Sequence, residues 1–272
     1  MTKLTYNLLI NSLIVSLLFG CSGESNKSEF FPGSSRHQPW DEVVFDENRA
    51  LHDTLLSALT GISYPLHIYL PTGYEDSEQH YPVVYATDGQ WIFEGFGKII
   101  DSKQKDIILV AIEQGPNDRR ATDYRLPGAK TYFDFLTSEL LPYIEQQYRV
   151  NENERSLIGT SYGGILSGLA LLMDDTEAPV FKNYLSFDPS FFQHQSATLE
   201  VEQARYNVSQ QLHATLFITS ATLRGNFPYV QWFTDLLRER QYEGLTIITA
   251  AYAVDHNDVA NPSFASALDQ LF

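Results

Sequence analysis

Ser156-Leu157-Ile158-Gly159-Thr160-Ser161-Tyr162-Gly163-Gly164-Ile165-Leu166-Ser167-Gly168-Leu169-Ala170-Leu171-Leu172 is the stretch that decides the fold. A short apolar run, a G-x-S-x-G pentapeptide and a longer apolar run predict a strand, a sharp turn and a helix. The pentapeptide by itself recurs by chance. Its setting makes it informative, because a serine held between strand and helix in this way is a nucleophile elbow. Small residues on either side let the two elements approach. The hydroxyl is then presented at a helix N-terminus, whose dipole favours developing negative charge. Ser161 is the candidate nucleophile.

Working outward, short apolar runs alternate with amphipathic ones from about Trp40 onward. The expected strands are Tyr64–Leu70, Pro82–Thr87, Ile107–Ile112, Ser156–Gly159, Asn183–Phe187, Thr215–Ser220 and Thr246–Ala251. Ile107-Ile108-Leu109-Val110-Ala111-Ile112 is uninterrupted, the pattern of a strand buried on both faces. Expected helices are Thr131–Tyr148, Tyr162–Met173, Val230–Arg240 and one from Pro262. In the first, Phe133, Leu136, Leu140, Leu141 and Ile144 recur at helical spacing. Strand and helix in alternation imply an α/β fold, a mostly parallel sheet with helices on both faces. No repeat or second boundary appears, so residues 40–272 read as one domain.

A serine hydroxyl needs a base to act as a nucleophile at neutral pH. Around such an elbow the partners follow in the order acid, then histidine. Of seven histidines, His194, His213 and His256 follow Ser161. His213 precedes the Thr215–Ser220 strand and belongs to the wrong end of the sheet. His194 sits in a Phe-rich loop that can approach the site. His256 comes a few residues after the Thr246–Ala251 strand, at the expected edge, and is the favoured base.

Tyr81-Pro82-Val83-Val84-Tyr85-Ala86-Thr87-Asp88-Gly89-Gln90, Leu140-Leu141-Pro142-Tyr143-Ile144-Glu145, Tyr148-Arg149-Val150, the elbow Gly159–Gly164 and Asp188-Pro189-Ser190 occur in that order. Together they resemble the esterase D / enterochelin (siderophore) esterase family of α/β-hydrolases, over about Tyr64 to the C-terminus. That family includes siderophore esterases, feruloyl esterases, S-formylglutathione hydrolases and mycolyltransferases. The resemblance implies the α/β-hydrolase fold, no cofactor, Ser161 as nucleophile and His256 as base. It also implies an oxyanion hole from the backbone N–H groups of Tyr162 and Gln90, two donors converging on the oxygen that becomes negative.

The chain departs from the family at the third triad member. The usual loop, here Ser220 to Phe227, contains no acid. Two arrangements stay open. Asp188, after the Asn183–Phe187 strand, is at the correct edge and in the correct order to orient His256. Alternatively, a Ser–His dyad suffices, as the resemblance to some siderophore esterases implies. Asp255 is adjacent to His256 and its side chain points away from it in an extended segment, whereas Asp258 needs a tight turn.

The expected substrate is a small-molecule carboxylic ester or thioester, such as a siderophore or an aryl or acyl ester. Arg119, Arg120 and Arg125 cluster after one strand and Arg224 follows another, so Arg120 and Arg224 are candidate substrate-binding cations. For Arg119 and Arg120, salt bridges to Asp118 and Asp123 are the competing role. Trp91, Phe93, Phe96, Phe191 and Phe192 line a pocket or fill the core. A lipid-anchored, non-catalytic binding protein and an acyltransferase are the alternatives to hydrolysis.

Eighteen basic against 34 acidic side chains, a net charge of −16 in 272 residues, argue against binding a nucleic-acid backbone. A single cysteine excludes an internal disulfide and a cysteine-rich metal site. That cysteine closes Leu18-Phe19-Gly20-Cys21, which follows Lys3 and the apolar stretch Leu8–Phe19. The stretch is shorter than the roughly 20 apolar residues of a spanning helix. It resembles a bacterial lipoprotein signal, with residues 1–20 removed and Cys21 lipidated. Phe19 is bulkier than the usual residue there. Residues 21–39, polar and rich in Ser, Gly and Pro, read as a flexible tether. The expected location is the cell envelope, anchored at the outer membrane and facing the periplasm.

Overall fold

The protein is described by a computed structural model covering residues 29–31 (backbone only), 37–176 and 178–272. Cys21, the signal segment 1–20 and most of the 21–39 stretch lie outside the described residues. Within that stretch, Glu29–Phe31 forms strand β1, parallel to the last strand, where the sequence reads only tether.

The uninterrupted apolar runs become the sheet. After β1 come β2 (Ala50–Leu56), β3 (Ser63–Tyr69), β4 (Tyr81–Thr87), β5 (Ile108–Ile112) and β6 (Val150–Thr160). They are followed by β7 (Asn183–Phe187), β8 (Thr215–Ala221) and β9 (Thr246–Tyr252). Among the described residues these form one sheet in the order β1-β9-β8-β7-β6-β4-β5-β3-β2. Pairing is antiparallel for β2 with β3 and β3 with β5, and parallel elsewhere. This is the α/β-hydrolase architecture.

The run Ile107–Ile112 shows why both faces close. Ile108, Val110 and Ile112 join one core and Ile107, Leu109 and Ala111 the other, because successive side chains point to opposite faces. The helices are α1 (Gly89–Ser102), α2 (Arg120–Asp123), α3 (Gly128–Phe135), α4 (Leu141–Glu145), α5 (Tyr162–Met173), α6 (Gln195–Val208), α7 (Phe227–Arg240) and α8 (Ala260–Leu271). Helices α1 and α8 cover the face of Val84, Ala86 and Leu109, locked by Phe96 stacked on Phe264 at 4.0 Å. Helices α3, α4, α5 and α7 cover the other.

The predicted helix Thr131–Tyr148 is interrupted. A π turn, Leu136–Leu140, separates α3 from α4. Pro142 has no N–H to give the carbonyl one turn back and its ring crowds that carbonyl, so the helix widens ahead of it. The elements whose carboxyl ends lie at one edge, β4, β6, β7 and β9, deliver the candidate site.

Candidate active site

The elbow forms as the sequence predicts, between β6 and α5. Ser161 has φ 62° and ψ −113°, a conformation an L-residue holds only when its surroundings impose it. Its neighbours impose it by proximity. A Cβ on Gly159 would lie 2.0 Å from the Gly163 carbonyl oxygen, and one on Gly163 would lie 2.2 Å from Thr87 Oγ1. The Ser161 N–H donates to the Phe187 carbonyl (3.0 Å), and the Ser161 carbonyl accepts from Ser190 N–H (3.2 Å). These bonds tie the turn to the loop after β7. Ser161 Oγ shares a hydrogen bond with Ser190 Oγ at 3.2 Å.

That same loop carries Asp188, fully buried, with φ 42°. Its carboxylate is surrounded by donors. Oδ1 accepts from the backbone N–H groups of Ala221 (3.0 Å) and Asn226 (2.9 Å), and Oδ2 lies 2.5 Å from His256 Nδ1. The structure therefore joins Asp188 to His256, the first of the two arrangements open at the sequence level. His256 sits in a short turn, His256–Asp258, directly after β9, with its side chain 30% exposed. Ser161 and His256 line one cavity of about 1310 Å³ without a direct hydrogen bond between them.

The loop after β8 lacks an acid, and it supplies donors instead. The Asn226 side-chain amide spends its two hydrogens on the Asp188 carbonyl (2.9 Å) and Ser190 Oγ (3.2 Å), bracing the nucleophile and acid loops together. Sequence reasoning missed Asn226 and Ser190. The Asp188-Pro189-Ser190 motif held the signal for Ser190, whereas Asn226 carried none.

Gln90 and Tyr162 fall in the first turns of α1 and α5, where backbone N–H groups have no acceptor within the helix. The Gln90 side chain turns elsewhere, its Oε1 accepting from Gln114 N–H at 3.1 Å. Before Gln90, Asp88 is buried in the left-handed region at φ 62°. Burial raises its carboxyl above the ordinary value, and hydrogen bonds from Arg120 offset only part of that.

The two candidate arginines have carboxylate partners. Arg120 lines the cavity, yet its fork is taken by Asp88, Nε to Oδ1 at 2.9 Å and Nη2 to Oδ2 at 2.8 Å. Of the acids expected from sequence, Asp123 pairs with Arg119 instead (2.9 Å). Arg224 is 81% exposed at the rim and bound to Asp255. Neither candidate substrate-binding cation is free. Trp91 does face the cavity, 63% exposed, whereas Phe96 and Phe191 are core. His213 packs beside Gly244 at the amino end of β8, and His194 opens α6 with its N–H on the Phe191 carbonyl (2.8 Å). Among the described residues no group of three or more His, Cys, Asp or Glu side chains is arranged to hold a metal.

Known proteins share this chain's family and fold. The family model "Esterase: Putative esterase" matches residues 57–215, more than half of the chain. The chain belongs to this esterase family. The match takes in Asp88, Ser161 and Asp188 and stops before His256. This esterase is similar to an IroE-like serine hydrolase from Shewanella oneidensis, with 26% identity and a TM-score of 0.69, covering 82% of this chain and 80% of that one. It also shares its fold with the siderophore hydrolase EstB from Aspergillus nidulans, at 17% identity and a TM-score of 0.69 over 85% and 97% of the two chains. A Bacillus subtilis protein, YbbA, is 28% identical over 126 residues, 39% of this chain, which spans about half (49%) of that relative's length.

Proposed function

We propose that this esterase hydrolyses a carboxylic ester through an acyl-enzyme on Ser161, with His256 as base and Asp188 as the orienting acid. The carrying observation is the 2.5 Å contact between Asp188 Oδ2 and His256 Nδ1 at a cavity that Ser161 also lines. With the imidazole proton held at Nδ1 by the carboxylate, Nε2 keeps a lone pair for the serine proton. Rotation of Ser161 Oγ away from Ser190 frees it to attack the acyl carbon, while Nε2 takes its proton. The first-turn amides of α1 and α5, Gln90 and Tyr162, receive the oxyanion. As the tetrahedral intermediate collapses, Nε2–H returns the proton to the departing alkoxide and the alcohol leaves. Water then gives a proton to Nε2 as it attacks the acyl carbon, and when the acyl–Oγ bond breaks Nε2–H returns that proton to Ser161 Oγ, releasing the carboxylic acid and restoring the serine.

The charges around the cavity bear on the ester. Asp41, Asp88, Asp255, Asp258 and Asp269 line it, against Arg120 and Lys103. Arg120 is bound to Asp88 and Lys103 to Asp269. Among the described residues, each basic side chain lining the cavity thus has a carboxylate partner. A polyanionic catecholate finds no free cation there, whereas exposed Trp91 and Leu223 offer apolar surface. We infer a neutral aryl or acyl ester in preference to a polyanionic siderophore, even though the structural neighbours include siderophore hydrolases. The lipoprotein-like signal supports an envelope location with Cys21 lipidated.

The test is labelling with a fluorophosphonate probe, alongside hydrolysis of p-nitrophenyl esters, aryl esters and a trilactone siderophore. Wild-type protein should be labelled and hydrolyse the neutral esters. Ser161→Ala should lose both by several orders of magnitude while keeping its fold. A Ser161→Ala variant that retains most of the activity refutes the nucleophile.

A further inference from the structure

Two helices start side by side at this site, and one side chain touches both starts. Arg120, from α2, holds Asp88 bidentately at 2.9 and 2.8 Å, and Asp88 is the residue immediately before α1. The same guanidinium carbon lies 5.2 Å from the centre of the Tyr162 ring, on the first residue of α5, and 5.3 Å from that of Trp91, in the first turn of α1. The Tyr124 ring lies 5.8 Å away on a third side. The helix starts are closely packed: a Cβ on Gly163 would lie 2.2 Å from Oγ1 of Thr87, the residue before Asp88, and in ordinary contact with Asp88 Oδ2 at 3.5 Å.

Asp88 also behaves unlike an ordinary residue at a helix start. An aspartate there usually turns its carboxylate onto the N–H of the second or third helical residue. Here the carboxylate makes no such cap, and its two oxygens bond Arg120 instead. The Gln90 N–H, in the first turn of α1, is thereby left without the cap an aspartate usually supplies, whereas the Trp91 N–H donates to the Asp88 carbonyl at 3.0 Å.

We propose that Arg120 is a positioning residue, a clasp that fixes the separation of the two oxyanion donors and keeps the Asp88 carboxylate off Gln90 N–H. This rests on the function proposed above and replaces a role for Arg120 in binding substrate. The clasp acts on the transition state, since the donors must converge on an oxygen that becomes negative only as the acyl carbon turns tetrahedral. Displacing a donor by about 1 Å costs on the order of 10²-fold in rate.

The experiment compares wild type, Arg120→Lys, Arg120→Met and the double variant Asp88→Ala/Arg120→Met. Each is assayed on a neutral ester, p-nitrophenyl butyrate, and an anionic one, mono-p-nitrophenyl glutarate, with circular dichroism melts at the assay pH. Lysine keeps the charge and loses the fork, and the double variant removes the clasp without leaving a buried charge alone. Expected is a kcat loss of about 10²-fold on both esters in all three variants, with KM within about threefold and the proteins folded at the assay temperature. A KM that rises only for the anionic ester while kcat is kept assigns Arg120 to substrate binding and overturns the clasp. Unchanged kcat in the folded variants makes the pair scaffold and overturns it equally. If Arg120→Lys or Arg120→Met fails to fold, the double variant decides by the same criteria. Ser161→Ala run in parallel separates the two hypotheses, because its survival would discard the nucleophile rather than the clasp.

Discussion

Replacing Asp188 with Asn tests the orienting acid, and the surroundings of the carboxylate dictate how the new amide must sit. Oδ1 receives two backbone N–H groups, from Ala221 at 3.0 Å and Asn226 at 2.9 Å. An NH2 placed there would face two donors, so the amide oxygen takes that position. The NH2 then takes the place of Oδ2, 2.5 Å from His256 Nδ1, where the Asn226 N–H, shared with Oδ1, also approaches at 3.1 Å. It donates to Nδ1, which moves the imidazole proton to Nε2, the nitrogen that must accept from Ser161. The isostere thus selects the wrong tautomer. The loss in kcat should approach about 10⁴-fold, equivalent to roughly 5.5 kcal/mol, with KM little changed. Because both hydrogen bonds at Oδ1 survive, stability should fall by only about 1 kcal/mol. Steady-state hydrolysis of p-nitrophenyl butyrate, with a thermal melt on the same samples, measures both. A kcat loss below about tenfold would refute the triad and restore the Ser–His dyad.

Three more variants probe other links. Gly159→Ala puts a Cβ 2.0 Å from the Gly163 carbonyl oxygen, so the elbow cannot close; little soluble folded protein should be recovered, and wild-type yield and activity would show the turn to be looser than described. Glu202 is fully buried and accepts from Arg240 (Nη2 at 2.8 Å) and Tyr242 (OH at 2.9 Å). Glu202→Ala should cost about 3 kcal/mol, or roughly 6–12 °C in Tm, with kcat unchanged, as read by calorimetry and ester hydrolysis. Cys21→Ala should abolish palmitate incorporation and release the protein from the membrane fraction; membrane association of wild type without label would discard the lipid anchor.

The sheet was legible because burial on both faces leaves a plain mark. Ile107–Ile112 is a run without a polar residue, and its edges and those of Asn183–Phe187 are legible to within a residue or two. Strand β2 left no such mark, since it is an edge strand with mostly exposed side chains. Helix α6 was invisible for the opposite reason. Its buried face is Thr198, Glu202 and Arg205, with Glu202 paired to Arg240 of α7 and Arg205 Nη2 donating to the Gln211 carbonyl, so hydrophobic periodicity is absent. In α1, Phe93, Phe96, Ile99 and Ile100 are buried at helical spacing, but Gly95 and Gly97 break up the propensity; Gly97 has no side chain because a Cβ would meet the Phe45 ring at 2.4 Å.

At the site, chain order was enough to expect Ser161 and His256 at one cavity, which both line, and to rank Asp188 among the acids. It could not choose Asp188 over a dyad, because that choice depends on a left-handed turn at φ 42° and on two amides contributed by a loop 33 and 38 residues later. The arginines misled for a related reason. Sequence neighbours Asp118 and Asp123 suggested local partners, whereas Arg120 reaches Asp88, 32 residues earlier.

Housing the acid after β7 changes what the loop after β8 is free to become. That loop serves Asp188 through the backbone N–H groups of Ala221 and Asn226, and an amide is common to every residue but proline. Between them, Thr222, Leu223 and Arg224 carry no part of the proton path, and Leu223 and Arg224 are exposed at the cavity mouth. Gly225 is constrained by its missing Cβ, which makes room for the Ala221 carbonyl oxygen at 2.3 Å, and Thr222 and Arg224 are tied by side chain to Tyr252 and Asp255, whereas the Leu223 side chain is exposed. The rim can therefore be rewritten, by drift or by design, while the charge that steadies His256 stays untouched. In a triad whose acid stands in that loop, altering the mouth would put the acid at risk. On the proposed triad, selectivity and turnover should separate under mutation, and libraries at Leu223 are the natural place to look for new ester preferences.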